Sequence, residues 1–119
     1  MPKALPVIDV SAPIRCMPVA AAPVDDQVAL EVALRLKALA DPVRVRLMSL
    51  LLAEPGGTVN TRDLAAAVVL AESTVSHHLG QLRAAGLVES VRRGMTVQHA
   101  ARRDALSALC FVLDPECCR

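Results

Sequence analysis

The chain has 119 residues, the size of one domain, and 54% of them are hydrophobic although Phe111 is the only aromatic residue. So few rings exclude a single-strand nucleic-acid binder that stacks bases on aromatic side chains, and a core of Ala, Leu, Val and Met favours packed helices over a sandwich or barrel. Thirteen Lys and Arg against twelve Asp and Glu leave a formal charge of +1, too little by itself to announce a polyanionic partner.

Residues 1–24 hold Pro2, Pro6, Pro13, Pro18 and Pro23, a density that blocks helix hydrogen bonding. A flexible arm carrying Cys16 is expected there. Asp9 and the prolines break the pattern of a signal peptide, and no uncharged apolar run is long enough to span a membrane. No membrane partner is expected.

A domain over 25–113 follows. Asp25-Asp26 opens a first helix, rich in Leu, Val and Ala, with Arg35 and Lys37 on its polar stripe. An apolar surface that wide on a terminal helix predicts a partner subunit. Asp41 as N-cap and Pro42 at the first helical position start a second helix, buried through Val43, Val45, Leu47, Met48 and Leu50–52. Pro55-Gly56-Gly57 stops it. Thr61 is expected to cap a short third helix over 62–69. Glu72-Ser73 opens a fourth through Ala85, ended by Gly86. Residues 87–91 and 95–99 read as a hairpin turning at Arg92-Arg93-Gly94. Ala105, Leu106, Leu109, Cys110, Val112 and Leu113 give a last amphipathic helix. The tail, 114–119, holds Cys117 and Cys118.

A short helix, a tight turn and a helix with a polar start form a helix-turn-helix arrangement. In the fourth helix Val75, Leu79 and Leu82 recur at core spacing. That leaves Ser73, Thr74, Ser76, His77, His78 and Gln81 outward or lateral, although Ser, Thr and His are mediocre helix formers. Hydroxyls and amides of this kind bond base edges and phosphates. A solvated polar helix start would have the same spacing, so charge is the second signal. Between residues 73 and 103, Arg83, Arg92, Arg93, Arg102 and Arg103 face the single Glu89. A near-neutral chain can thus present one basic face to double-stranded DNA. Arg83 and the hairpin's Arg92 and Arg93 join the polar helix residues as candidate DNA contacts.

These residues also carry a family likeness. Leu36 to Arg44, reading LKALADPVR, resembles the KALADPTR segment of the ArsR/SmtB family of bacterial metalloregulatory repressors. Asp63-Leu64-Ala65 followed by Glu72 to Leu79 resembles that family's recognition region. Leu82 to Val88 and Arg92-Arg93-Gly94 resemble the end of its recognition helix and its wing. The resemblance covers roughly residues 27–113. It implies a mainly α, dimeric winged helix-turn-helix fold with a small β-hairpin wing. It further implies a homodimer joined through its first and last helices, and DNA release when a metal or metalloid inducer binds. No catalytic residue is implied.

The four cysteines, Cys16, Cys110, Cys117 and Cys118, all lie near the ends, where no bridge would staple the middle. A reducing cytoplasm with free or metal-binding thiols is expected. Three thiolates suit As(III), the expected inducer; Sb(III), Cd and Hg are other soft candidates. Cys110, Cys117 and Cys118 could supply them from one chain, or Cys16 could join the tail pair. Cys110 also sits on an apolar stripe, where cysteine packs as a small hydrophobe. Adjacent histidines point about 100° apart and chelate poorly, so His77 and His78 are assigned to DNA. Arsenic sensors of the resembled family carry cysteines where this chain has Asn60 and Arg62, and no histidine follows Asp104 for a zinc-type site. Two other readings remain open: a thiol redox or reactive-sulfur sensor of the same fold, and a small thiol metal carrier without DNA function.

Overall fold

The computed structural model describes residues 23–114. Residues 1–22 of the arm expected over 1–24, with Cys16, and the tail beyond Asp114, with Cys117 and Cys118, lie outside the described residues.

The order is α1 (Asp26–Leu39), α2 (Pro42–Ala53), β1 (Val59–Asn60), α3 (Thr61–Val68), α4 (Glu72–Ala84), β2 (Val88–Arg93), β3 (Thr96–Ala101) and α5 (Arg103–Leu113). Local chemistry sets most of these ends. The Asp25 side chain accepts from the Val28 N–H at 2.9 Å, and Asp41 accepts from Val43 and Arg44 with Pro42 inside the first turn. Burial works against the Asp41 carboxylate, but the two backbone donors and the nearby His78 and Arg44 charges hold its acid below the ordinary range. Gly86, at φ 75°, follows the last turn of α4 in the left-handed region.

Leu47, Leu51, Leu64, Val75, Leu79, Leu82, Leu87 and Val88 are each no more than 2% exposed and form the centre of the core. Each fully buried Leu contributes about 1.5–3 kcal/mol, so repetition replaces the missing rings. Val45 departs from expectation. It lies on the outer face of α2 and is 53% exposed, because only Leu47, Met48 and Leu51 turn fully inward. Arg35 departs the other way. It is 4% exposed rather than on a solvated stripe, with Nη1 donating to the Glu31 carbonyl at 3.1 Å.

Three sequence expectations are corrected. Asn60, not Thr61, caps α3, its Oδ1 accepting from the Asp63 N–H at 2.8 Å. The hairpin loop is Gly94-Met95, with Gly94 at φ 62°, so Arg92 and Arg93 stand on β2 rather than in the turn. A third strand exists: β1 pairs antiparallel with β3, giving the order β1-β3-β2. Two residues carry too little periodicity to be seen as a strand, and their pairing is purely tertiary.

The turn between α3 and α4 passes through Val69 at φ 56° and ψ 51°, the one non-glycine residue with positive φ among those described. Its side chain is 85% exposed. The fold is therefore a winged helix-turn-helix: α3, the turn and α4, followed by the β2–β3 wing.

Candidate nucleic-acid interface

Val75, Leu79 and Leu82 are fully buried and key one face of α4 into the core. The helix period then forces Ser73, Thr74, Ser76, His77 and Gln81 outward, and all five are exposed. Ala71 caps α4 without a side-chain hydrogen bond, and Glu72 is the acidic residue of the first turn. Free N–H groups there favour an anion such as phosphate.

A cleft lies between this start, the start of α3 and the end of the wing. Asn60, Arg62, Ser73, Ser76, Met95 and Thr96 are among its lining residues. Arg62 is exposed and was not among the sequence candidates. A charge count begun at residue 73 leaves it out; the outward position beside the cap of α3 is the signal that finds it. Arg92 and Arg93 are exposed on the outer half of β2, and neither makes an ion pair among the described residues. Arg92 Nε bonds the Gly94 carbonyl at 3.4 Å, a contact that steadies the loop without neutralising the cation.

Not every candidate points outward. Arg83 turns back from α4, its Nη1 donating to Ser90 Oγ at 3.1 Å. His78 is half-buried and accepts at Nδ1 from Arg44 Nε at 3.1 Å, while Arg44 Nη1 reaches the Ala38 carbonyl at 3.3 Å. Arg44 thus ties α1, α2 and α4 together. His77 and His78 sit edge to face with centroids 6.1 Å apart and planes at 62°. Arg102 pairs with Asp104 at 3.4 Å, and Arg103 Nη2 donates to the Leu52 carbonyl at 2.7 Å. Of the five arginines counted from sequence, Arg92 and Arg93 remain without a partner outside their own hairpin; Arg62, which lines the cleft, is a further exposed cation.

Behind the cleft, His99 is 3% exposed, with Nε2 2.7 Å from Thr61 Oγ1 and Nδ1 2.7 Å from Ser90 Oγ. Burial, and secondly the Arg83 charge, push its pKa below the ordinary histidine value. Below about pH 6.5 the unfolded chain therefore takes up a proton that the folded chain refuses. Stability should fall as pH drops below that value and level off once the folded-state pKa is passed. Calorimetry between pH 7.5 and pH 5 checks this. A His99→Leu chain should lose that part of the slope, and an identical slope in both chains would refute the assignment.

The thiols are less assembled. Cys110 is half-buried on α5, and every other cysteine lies outside the described residues. Among the described residues no group of three or more His, Cys, Asp or Glu could hold a metal ion. No described helix is long and apolar enough to cross a membrane.

Comparison with known proteins agrees with this geometry. Residues 41–90, from the cap of α2 into the wing, match the profile of the family described as "Bacterial regulatory protein, arsR family". The HTH-type transcriptional regulator NmtR of Mycobacterium tuberculosis is 39% identical over 79 residues, which are 66% of this chain and 63% of NmtR, just under two thirds of that relative's length. The structure of the antimony-specific transcriptional repressor AntR superposes with a TM-score of 0.63 at 28% identity, over 74% of this chain and 78% of AntR. A homodimeric winged helix-turn-helix DNA-binding domain from Mycobacterium bovis superposes with a TM-score of 0.57 at 30% identity, over 71% of this chain and 83% of that one. In sequence and in fold, the chain belongs to the arsR family of bacterial regulatory proteins.

Proposed function

We propose that this protein is a cytoplasmic, homodimeric repressor that binds double-stranded operator DNA and is released from it by a thiophilic metalloid, As(III) foremost. It is a regulator and not an enzyme. The observation that carries the DNA reading is the cleft that brings Arg62 together with Ser73 and Ser76 at the start of α4 and Met95 and Thr96 of the wing, with Arg92 and Arg93 exposed on the wing strand that follows α4. In this reading α4 enters the major groove, with Ser73, Thr74, Ser76, His77 and Gln81 toward the bases and phosphates, and the wing lies on the flanking backbone.

The dimer rests on α1. Its fourteen residues are mostly apolar, yet Ala38 and Arg35 are its only buried ones; Leu34 and Leu36 are exposed. On α5, Leu113 is exposed too. A second copy is the partner that the homodimeric M. bovis domain suggests.

The inducer site is drawn from Cys16, Cys110, Cys117 and Cys118. As(III) and Sb(III) share a preference for three thiolates, and AntR answers to antimony by its name. Capture near the chain ends would bear on the terminal helices and, if it respaces the two α4 helices, lower operator affinity by linkage. A mobility-shift titration on promoter DNA tests both parts. The expected result is a retarded dimer complex that arsenite dissolves, and a loss of that response in Cys117→Ser and Cys118→Ser chains. Undiminished binding at saturating arsenite would overturn the inducer, and no binding at all would overturn the DNA reading.

A second reading is a thiol redox sensor of the same fold, in which Cys110 or Cys16 pairs with the tail cysteines. It predicts operator affinity that changes between reductant and mild oxidant without any metalloid. Mass spectrometry of the two forms would identify the bridge.

A further inference from the structure

We propose that His99 is the positioning residue that fixes the wing against the helix-turn-helix, so that α4 and the wing reach DNA as one rigid unit. This deepens the DNA-binding reading above and rests on it.

His99 stands on the middle strand, opposite Val59 of β1 and Ser90 of β2. Its two ring nitrogens are taken by hydroxyls from two different elements, Thr61 on α3 and Ser90 on β2, each at 2.7 Å. Ser90 is in turn held at 3.1 Å by Arg83 from the last turn of α4. One imidazole thus joins both helices of the reading motif to both strands of the wing.

The direction of each bond follows from the one group that can only donate. Arg83 gives its N–H to Ser90 Oγ. Ser90 then spends its own proton on His99 Nδ1, and His99 Nε2–H donates to Thr61 Oγ1. In this neutral Nε2–H tautomer Ser90, the ring and Thr61 each accept one bond, and the Thr61 proton is left to a partner outside the chain. The opposite tautomer would aim two donors at Ser90 Oγ and leave the Ser90 proton outside instead, so the bonds would no longer run in one direction. Chains ordered in this way reinforce each link. Arg83 is the charged group acting on the ring, while Thr61, Val59 and Ser90 are uncharged.

Position along the hairpin gives the chain its consequence. Ser90↔His99 is the third pair from the base. Beyond it on β2, Val91, Arg92 and Arg93 are exposed, as is Met95 in the loop. On β2 the polar clamp is therefore the side-chain tie to the helices nearest the cationic end, while on β3 the pairing Asn60↔Gln98 reaches one residue further. A merely apolar residue at 99 could fill the volume, but it would leave the tilt of the wing to the backbone alone. Fixing that tilt beforehand spares the ordering cost on binding.

The test uses the full chain, with operator affinity followed by fluorescence anisotropy and folding by thermal denaturation. His99→Leu, Ser90→Ala and Thr61→Val should each fold and lose affinity on the order of tenfold. The His99→Leu/Thr61→Val double should lose no more than His99→Leu alone. In the His99→Leu background, removing Arg92 and Arg93 should cost less than in the parent chain, a coupling that loss of general stability would not produce. Variants that bind like the parent, or losses fully additive with the wing arginines, would overturn the role of His99. A parent chain that binds no promoter fragment would instead overturn the DNA reading. Nitrogen-15 spectra of the parent imidazole decide the bond order without DNA and even if a variant fails to fold: an unprotonated Nδ1 is expected, and a protonated one overturns the chain.

Discussion

Exchanging His77 for Ala should weaken specific operator binding by about tenfold or more, and Ser76→Ala should weaken it in the same direction, with the dimer intact in both. A well-made contact to a base edge is worth about 1–3 kcal/mol, and the outward face of α4 offers few other side chains to replace one. Both residues are exposed, and neither has a hydrogen bond to another element among those described. Folding should therefore stay within about 0.5 kcal/mol of the parent. Anisotropy titration against specific and scrambled duplexes, with size-exclusion of the same samples, reads both effects. The wing gives the contrast. Replacing Arg92 and Arg93 together should weaken every duplex alike and reduce the slope of log affinity against log salt by about 2, near 0.9 per phosphate contact. Full affinity in both α4 variants would remove α4 from the groove.

Leu79→Ala should cost about 2–5 kcal/mol of folding stability, against a total of about 5–15 for a domain of this kind. Leu79 is fully buried at the middle of the α4 stripe, between Val75 and Leu82, which are equally buried. The surrounding core is built from Leu, Val, Met and Ala, with no ring that could swing into the void. Urea denaturation followed by circular dichroism gives the loss directly. Operator affinity should fall only through the unfolded fraction, leaving the salt slope of the folded chain unchanged. A loss under about 1 kcal/mol would mean that α4 is not anchored through this residue.

The two substitutions probe opposite sides of one helix, and that helix was the most legible part of the sequence. Its apolar spacing, the Asp41-Pro42 start of α2 and Gly86 after α4 are local signals, and the structure realises each. What escaped depends on residues far apart in the chain. His99 has partners 9 and 38 residues away, so nothing beside it announces a role. Arg83 and His78 read as DNA contacts because their partners, Ser90 and Arg44, are brought to them by folding. Asn60 and Thr61 are both good caps in adjacent positions, and only the structure shows Asn60 bonding the helix while Thr61 bonds the imidazole. The Arg-Arg-Gly run resembled a turn through its glycine, but the strand pairing continues through Arg93 to Thr96.

The bend at Val69 bears on whether the DNA-reading segment could be transplanted. A branched L-residue disfavours the left-handed region by about 1–2 kcal/mol, and its exposed side chain brings no packing in return. The angle between α3 and α4 is therefore imposed from outside, by the seating of Leu64, Val68, Val75 and Leu79 in the common core. A peptide of residues 60–85 carries the recognition side chains but not the forces that aim them. Grafted onto another scaffold, it would keep its helices' composition and lose their geometry unless α2 and the sheet came with it.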